Sequence, residues 1–225
     1  MADEPDSWIT KNGKRIPIYN KRGNAGAVLL AGVVAVGALS AGGAGVSTIG
    51  ELAGSASSSG QSMSVRKSEG RKDARRGDSD AAWRRFGMRE RRRTPTQQAE
   101  CIASSFGQVQ EYFLNHRCTS MDKILIALDD DAGNTALISV VWTSFGTTRD
   151  ADRFKRLMDK HGTGDIRPLP AELLALPPTT FHGHNYGSDQ DRTTITTAEA
   201  ESATGHLPPD LLDALAKTAS ALPKP

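Results

Sequence analysis

What the chain lacks bounds it first. It carries no G-x-S-x-G elbow, no Walker loop and no H-E-x-x-H pair, so none of the common motif-bearing hydrolase, nucleotide or zinc chemistries announces itself. Cysteine is limited to Cys101 and Cys118 among 225 residues. Neither lies near the N-terminal apolar run, which closes the lipoprotein route. Charge of either sign is missing from residues 23–50, between Arg22 and Glu51.

That uncharged run, GNAGAVLLAGVVAVGALSAGGAGVSTIG, organises the rest of the chain. A helix needs about 20 apolar residues to cross ~30 Å of hydrocarbon, and the run is long enough, although Gly and Ala make it only moderately hydrophobic. It reads as a single transmembrane helix over 23–50. A cleaved secretory signal ending at Ala38-Leu39-Ser40 and a Gly/Ala-rich linker are the alternatives. Gly37, Ala41 and Gly45 recur at four-residue steps on one helical face, which permits close approach of a second copy, so a homo-oligomer through this helix is allowed. Lys11, Lys14, Arg15, Lys21 and Arg22 precede the run closely, whereas Arg66 and Lys67 are the first basic residues after it. Basic excess marks the cytoplasmic side. The expected layout is a cytoplasmic tail at 1–22, the membrane helix at 23–50, a linker at 51–94 and an extracytoplasmic domain at 95–225.

The formal net charge of +2 conceals an uneven distribution. Between Arg66 and Arg93 there are twelve Lys/Arg against five Asp/Glu. With Ser and Gly ahead of it and few core-forming residues in it, 51–94 reads as a disordered linker. Its basic strip, Arg71, Lys72, Arg75, Arg76, Arg84, Arg85, Arg91, Arg92 and Arg93, is the candidate contact for membrane lipid headgroups or a wall polyanion. Nucleic acid is not an expected partner, because it would require the opposite topology. In the tail, Trp8-Ile9-Thr10 and Arg15-Ile16-Pro17-Ile18 flank Asn12-Gly13, the strongest short hairpin signal. Two strands alone are marginal in water, so the tail reads as disordered or as a tag that orders on a partner. The pattern W-I-T-K-N-G-K-R-I-P-I resembles short tags of phage-head-associated and related bacterial proteins, and no function follows from it.

Beyond Pro95 the periodicities alternate. Ile102, Phe106, Val109 and Phe113 recur at helical spacing. Residues 123–129 and 135–145 read as strands around a polar turn at 130–134. Thr148 caps a second helix that stops at Gly162. A Pro-broken loop follows, then a second hairpin from 180–186 and 192–199 turning at 188–191, then a helix over 209–222. The fold class expected is α+β: an antiparallel four-stranded sheet of two hairpins with helices packed on one face.

The two cysteines pair in an oxidising exterior and stay free thiols in a reducing cytoplasm. One unbroken helix between them would hold their Cα atoms ~25 Å apart, beyond the ~7 Å reach of a disulfide. A bridge needs a helix that starts late. The capping box Ser105-Phe106-Gly107-Gln108 offers that start, and Thr94-Pro95-Thr96-Gln97 offers an earlier, competing one.

His182 and His184, two apart on an expected strand, share a face and are the only metal candidates, with His206 or Asp189 completing a set. No cofactor is expected. Asp129, Asp130, Asp131 and Gly133 lack the Glu that ends a calcium loop, Val140 standing in its place, and read as a hairpin turn. Gly162-Thr163-Gly164-Asp165 follows a helix, not a strand, and reads as a helix stop, with His161 meeting the helix C-terminal dipole.

The stretch C-I-A-S-S-F-G-Q-V-Q-E-Y-F from Cys101 and onward to Cys118, with H-G-T-G-D-I from His161 and F-H-G-H-N-Y from Phe181, resembles a group of uncharacterised actinomycete single-span membrane proteins. The resemblance implies an anchored protein with a small exported α+β domain; no activity is attached to that group. The sequence as a whole leads to a non-catalytic extracytoplasmic module that binds a protein or a cell-wall component. The alternatives are an exported enzyme centred on His182 and His184, and a cytoplasmic-facing domain whose basic linker touches nucleic acid.

Overall fold

The computed structural model describes residues 7–11, 14–18 and 61–225. The chain divides into two units, Met1–Leu52 and Ala53–Pro225. In the first, β1 (Ser7–Lys11) pairs antiparallel with β2 (Lys14–Ile18). The candidate packing residues Gly37, Ala41 and Gly45, and the whole expected membrane helix at 23–50, lie outside the described residues. Among the described residues, no helix is long and apolar enough to cross a membrane.

The second unit is built on one antiparallel sheet whose centre is written plainly in the sequence. β5 (Cys118–Asp129) and β6 (Thr135–Phe145) are joined by the expected tight turn. There the Asp130 carboxylate accepts from the N–H of Ala132 and from both the N–H and Nδ2 of Asn134 at 2.8–2.9 Å. Every residue of β6 is buried, as for a strand covered on both faces. β8 (Thr194–Thr204) pairs with β6, and β7 (Tyr186–Asp191) lies outside β8. On the other side of β5 run β3 (Arg89–Arg93) and the two-residue β4 (Gln97–Gln98). The order is β3-β5-β6-β8-β7, with β4 also on β5.

Three features of the sequence expectation are thereby corrected. The sheet has six strands, not four. Helices cover both of its faces, not one. The stretch from Met63 to Arg93, expected as disordered linker, is folded into α1 (Met63–Arg75), α2 (Ser79–Arg84) and β3. Its few apolar residues suffice because most of them are used: Ala74, Ala82, Trp83, Phe86 and Met88 pack on Ile124, Ile126, Ile138 and Val140 together with α5 (Pro209–Ala219). Gly70 lets α1 approach closely, since a Cβ there would stand 2.9 Å from the Phe86 ring. At the heart of this layer Asp73 is 2% exposed and is neutralised by Arg76 and by Arg85 Nε at 2.9 Å.

The opposite face carries α3 (Gly107–Asn115) and α4 (Thr148–Met158). Phe113, Phe145 and Phe154 meet there with ring centroids 5.0–6.2 Å apart, offset and tilted as aromatic quadrupoles prefer. Thr147, not Thr148, caps α4 by accepting the Asp150 N–H at 3.1 Å. A 3-10 turn (Ala171–Leu174) covers Leu125, Ala127 and Leu137 further along.

A candidate binding cleft and the charged strip

Cys101 and Cys118 are joined in a disulfide, their Cα atoms 6.6 Å apart. The helix between them does start late, at Gly107, but Phe106 and not Ser105 is its N-cap. The Ser105 hydroxyl instead donates to the carbonyls of Cys101 (2.8 Å) and Ile102 (3.1 Å), holding the turn before the helix. Thr94 starts no helix; its Oγ1 accepts the Leu125 N–H at 3.0 Å.

Residues 104–108 then pair with 163–167. Phe106 N–H donates to Asp165 O (3.0 Å), Gln108 N–H to Thr163 O (2.7 Å) and Arg167 N–H to Ser104 O (2.7 Å). Gly164 makes the contact possible: its φ is +108°, and a Cβ there would run into the Phe106 carbonyl oxygen. This clamp holds Asp165 over the sheet, facing Glu199 of β8. Glu199 occupies one cross-strand row with Ser139 of β6 and Tyr186 of β7.

An open cleft of about 380 Å³ lies beside this row, between residues 159–165 and 181–183. His161 and His182 line it, and His184 stacks between the two rings, its centroid 5.8 Å from that of His161 and 6.2 Å from that of His182. His182 and His184 come from the loop before β7, not from a strand. The register shift has a physical cause: Ser188-Asp189-Gln190-Asp191 looks like a turn but continues β7, because Asp189 is held by Arg71 (3.2 Å) and Arg75 (2.8 Å) from α1. The real turn falls at Arg192, with φ +54°. His206 N–H donates to Asn134 Oδ1, at the β5–β6 turn. Among the described residues, no three His, Cys, Asp or Glu side chains assemble as a metal site.

The carboxyls of the cleft hold its own loops. Glu201 Oε1 accepts the His182 N–H at 3.2 Å, Glu199 Oε2 accepts the Gly183 N–H at 3.1 Å, and Asp159 receives the hydroxyls of Tyr186 and Ser188. Burial, then the hydrogen bond and like charge of Asp165, push Glu199 up to about 9, so it is a neutral acid at pH 7. Burial first and Asp159 second push the Tyr186 hydroxyl upward. Two strands away Lys123, 5% exposed, donates to Arg167 O at 2.8 Å, and burial with the Arg167 charge brings it down to about 8.

Sequence reasoning named His182 and His184 but missed Asp165, Tyr186 and Glu199 as their company. The signal was available: in TITTAEAESAT, Glu199 falls in step with Ile195 and Thr197 on the face that packs inward.

The basic strip is dispersed and largely engaged. Arg71 also donates to Lys217 O (2.9 Å), Lys72 pairs with Glu69 (2.7 Å), and Arg76 and Arg85 pair with Asp73. Arg91 lies 3.4 Å from Asp129, Arg92 donates to Leu174 O (2.9 Å), and Arg93 is bidentate to Glu90. Arg84 is exposed. No protein-family model, curated protein or solved structure matches the chain.

Proposed function

We propose that the chain is a non-catalytic binding module that works in an oxidising compartment outside the cytoplasm, tethered to the membrane through its uncharged segment at 23–50 and meeting a protein or wall partner. The observation that carries this reading is the Cys101–Cys118 bridge, since such bonds persist in oxidising surroundings. The experiment is thiol labelling of intact cells with a membrane-impermeant maleimide, before and after external reductant. Labelling only after reduction is expected. Free thiols in freshly lysed cells, or thiols that stay shielded after reduction, sink the reading, as does full-length chain left in the supernatant after high-speed centrifugation of lysed cells.

A second reading, an exported enzyme centred on His182 and His184, is favoured by one observation: His161 completes a stack of three imidazoles beside the neutral Glu199. Stoichiometric metal in the purified protein, lost in His182→Ala and His184→Ala, would bring it forward.

A further inference from the structure

The disulfide opens onto a pocket of its own. An open hollow of about 250 Å³ is lined by both Cys101 and Cys118, with Glu100, Phe113 and Arg117 among its other walls. Of the two residues Cys118 is the more approachable, being half-buried where Cys101 is 6% exposed. Charge favours the same sulfur. Exposed Arg117 flanks Cys118 and attracts an incoming thiolate, whereas exposed Glu100 flanks Cys101 and repels one.

The bond also holds a segment that has little else to hold it. Of residues 101–106 only Cys101 and Ser105 are buried, and Ile102 and Phe106 are 40% and 44% exposed. Apolar burial therefore does little to fix this turn. Its attachments are the bridge to β5, the backbone clamp to 163–167, and Arg167, whose Nη1 donates to the carbonyls of Ala103 and Ser105 and whose guanidinium carbon stands 5.5 Å from the centre of the Phe106 ring. The other half of the clamp has anchors of its own: Ile166 is in the core, and Lys123 Nζ donates to Arg167 O. Opening the bridge thus sets the 101–106 side loose. Phe106 and Asp165, joined across the clamp, both line the histidine-bearing cleft.

We propose that the Cys101–Cys118 bond is a redox latch on that cleft: thiol exchange at Cys118 releases residues 101–106 from 163–167 and opens the wall that Phe106 and Asp165 form. A dithiol supplies the electrons. Its thiolate attacks Sγ of Cys118, the S–S bond breaks, and the electron pair leaves on Sγ of Cys101, which takes up a proton. The second thiol of the reductant, giving up its own proton, then displaces the Cys118 sulfur, so that two cysteine thiols and one cyclic disulfide result. As regulation of a binding module the latch rests on the reading above; as a mechanical coupling it is tested without it.

The test is hydrogen exchange, read by mass spectrometry, on the purified full-length chain when oxidised, when reduced with dithiothreitol, and as Cys101→Ser with Cys118→Ser. The amides of Phe106, Gln108 and Arg167 are the clamp donors. Reduction without denaturant is expected to speed exchange in peptides covering 104–108 and 167 about tenfold, the equivalent of ~1.4 kcal/mol. The double variant should behave as the reduced protein does, and residues 136–142 of β6 should keep their protection at the same labelling times. A bond that acts only on the unfolded chain would raise exchange everywhere through global opening. A bridge that resists dithiothreitol until urea is added, an unchanged rate at 104–108, or a rise there no larger than in 136–142 overturns the latch. Labelling of whole cells, which decides the compartment, is indifferent to either result.

Discussion

Replacing Glu199 with glutamine isolates the buried carboxyl pair. The amide keeps the shape, donates to Asp165 and accepts the Gly183 N–H, and removes only the proton that can leave. Glu199 moves from an ordinary 4.5 in the unfolded chain to about 9 in the folded one. Below pH 4.5 both states hold the proton and the group is neutral in its effect on stability. Above that, the unfolded chain releases a proton that the folded chain keeps. Stability is therefore lost by about 1.4 kcal/mol per pH unit as pH rises towards the folded value. At pH 7 the native protein is about 3 kcal/mol less stable through this one group than at the acid end of that window. Glu199→Gln has no such slope. Urea unfolding of both proteins from about pH 4.5 to 8.5, at fixed ionic strength and with the disulfide intact, reads the difference; groups remote from the Asp165–Glu199 pair cancel. The variant should match the parent near pH 4.5 and exceed it by about 3 kcal/mol at pH 7. A difference that stays flat across the range refutes the buried-acid reasoning.

Three other outcomes follow from packing and covalent geometry. Reducing the bridge, or Cys101→Ser with Cys118→Ser, frees a loop of sequence separation 17 and should cost about 3 kcal/mol in unfolding experiments. Gly164→Ala forces a Cβ into the Phe106 carbonyl at positive φ, and should lower the melting temperature more than Gly77→Ala, where nothing lies within 4 Å. Thr218 is fully buried with its hydroxyl unpartnered, so the near-isosteric Thr218→Val should stabilise by about 1 kcal/mol, read as a higher thermal midpoint.

The centre of the sheet was legible because its strands advertise themselves. Residues 135–145 are a strand as read, and 123–129 form the inner part of the longer β5. The near-continuous apolar run of 135–145 also held a clue that one helical layer would not do, since a strand wet on one side alternates. What misled was composition. An arginine-rich stretch reads as solvated, but here Asp73, Asp189 and the carbonyls of Lys217 and Leu174 absorb the guanidiniums, leaving five apolar side chains free to seal a sheet face. The cleft was only half legible for a related reason. Its histidines stand out by type, whereas Asp165 is brought to Glu199 through a pairing of 163–167 with 104–108 that no local pattern encodes.

The placement of α1, α2 and β3 has a practical corollary. A fragment trimmed to begin at Pro95, where the periodic sequence starts, would keep α5 but strip from Ile124, Ile126 and Ile138 the cover of Trp83, Phe86 and Met88, and leave residues 126–129 of β5 an unguarded border. Bare aliphatic surface beside an open strand recruits neighbours of the same kind, so such a fragment would precipitate or form fibres, while one starting near Ser62 would remain dispersed.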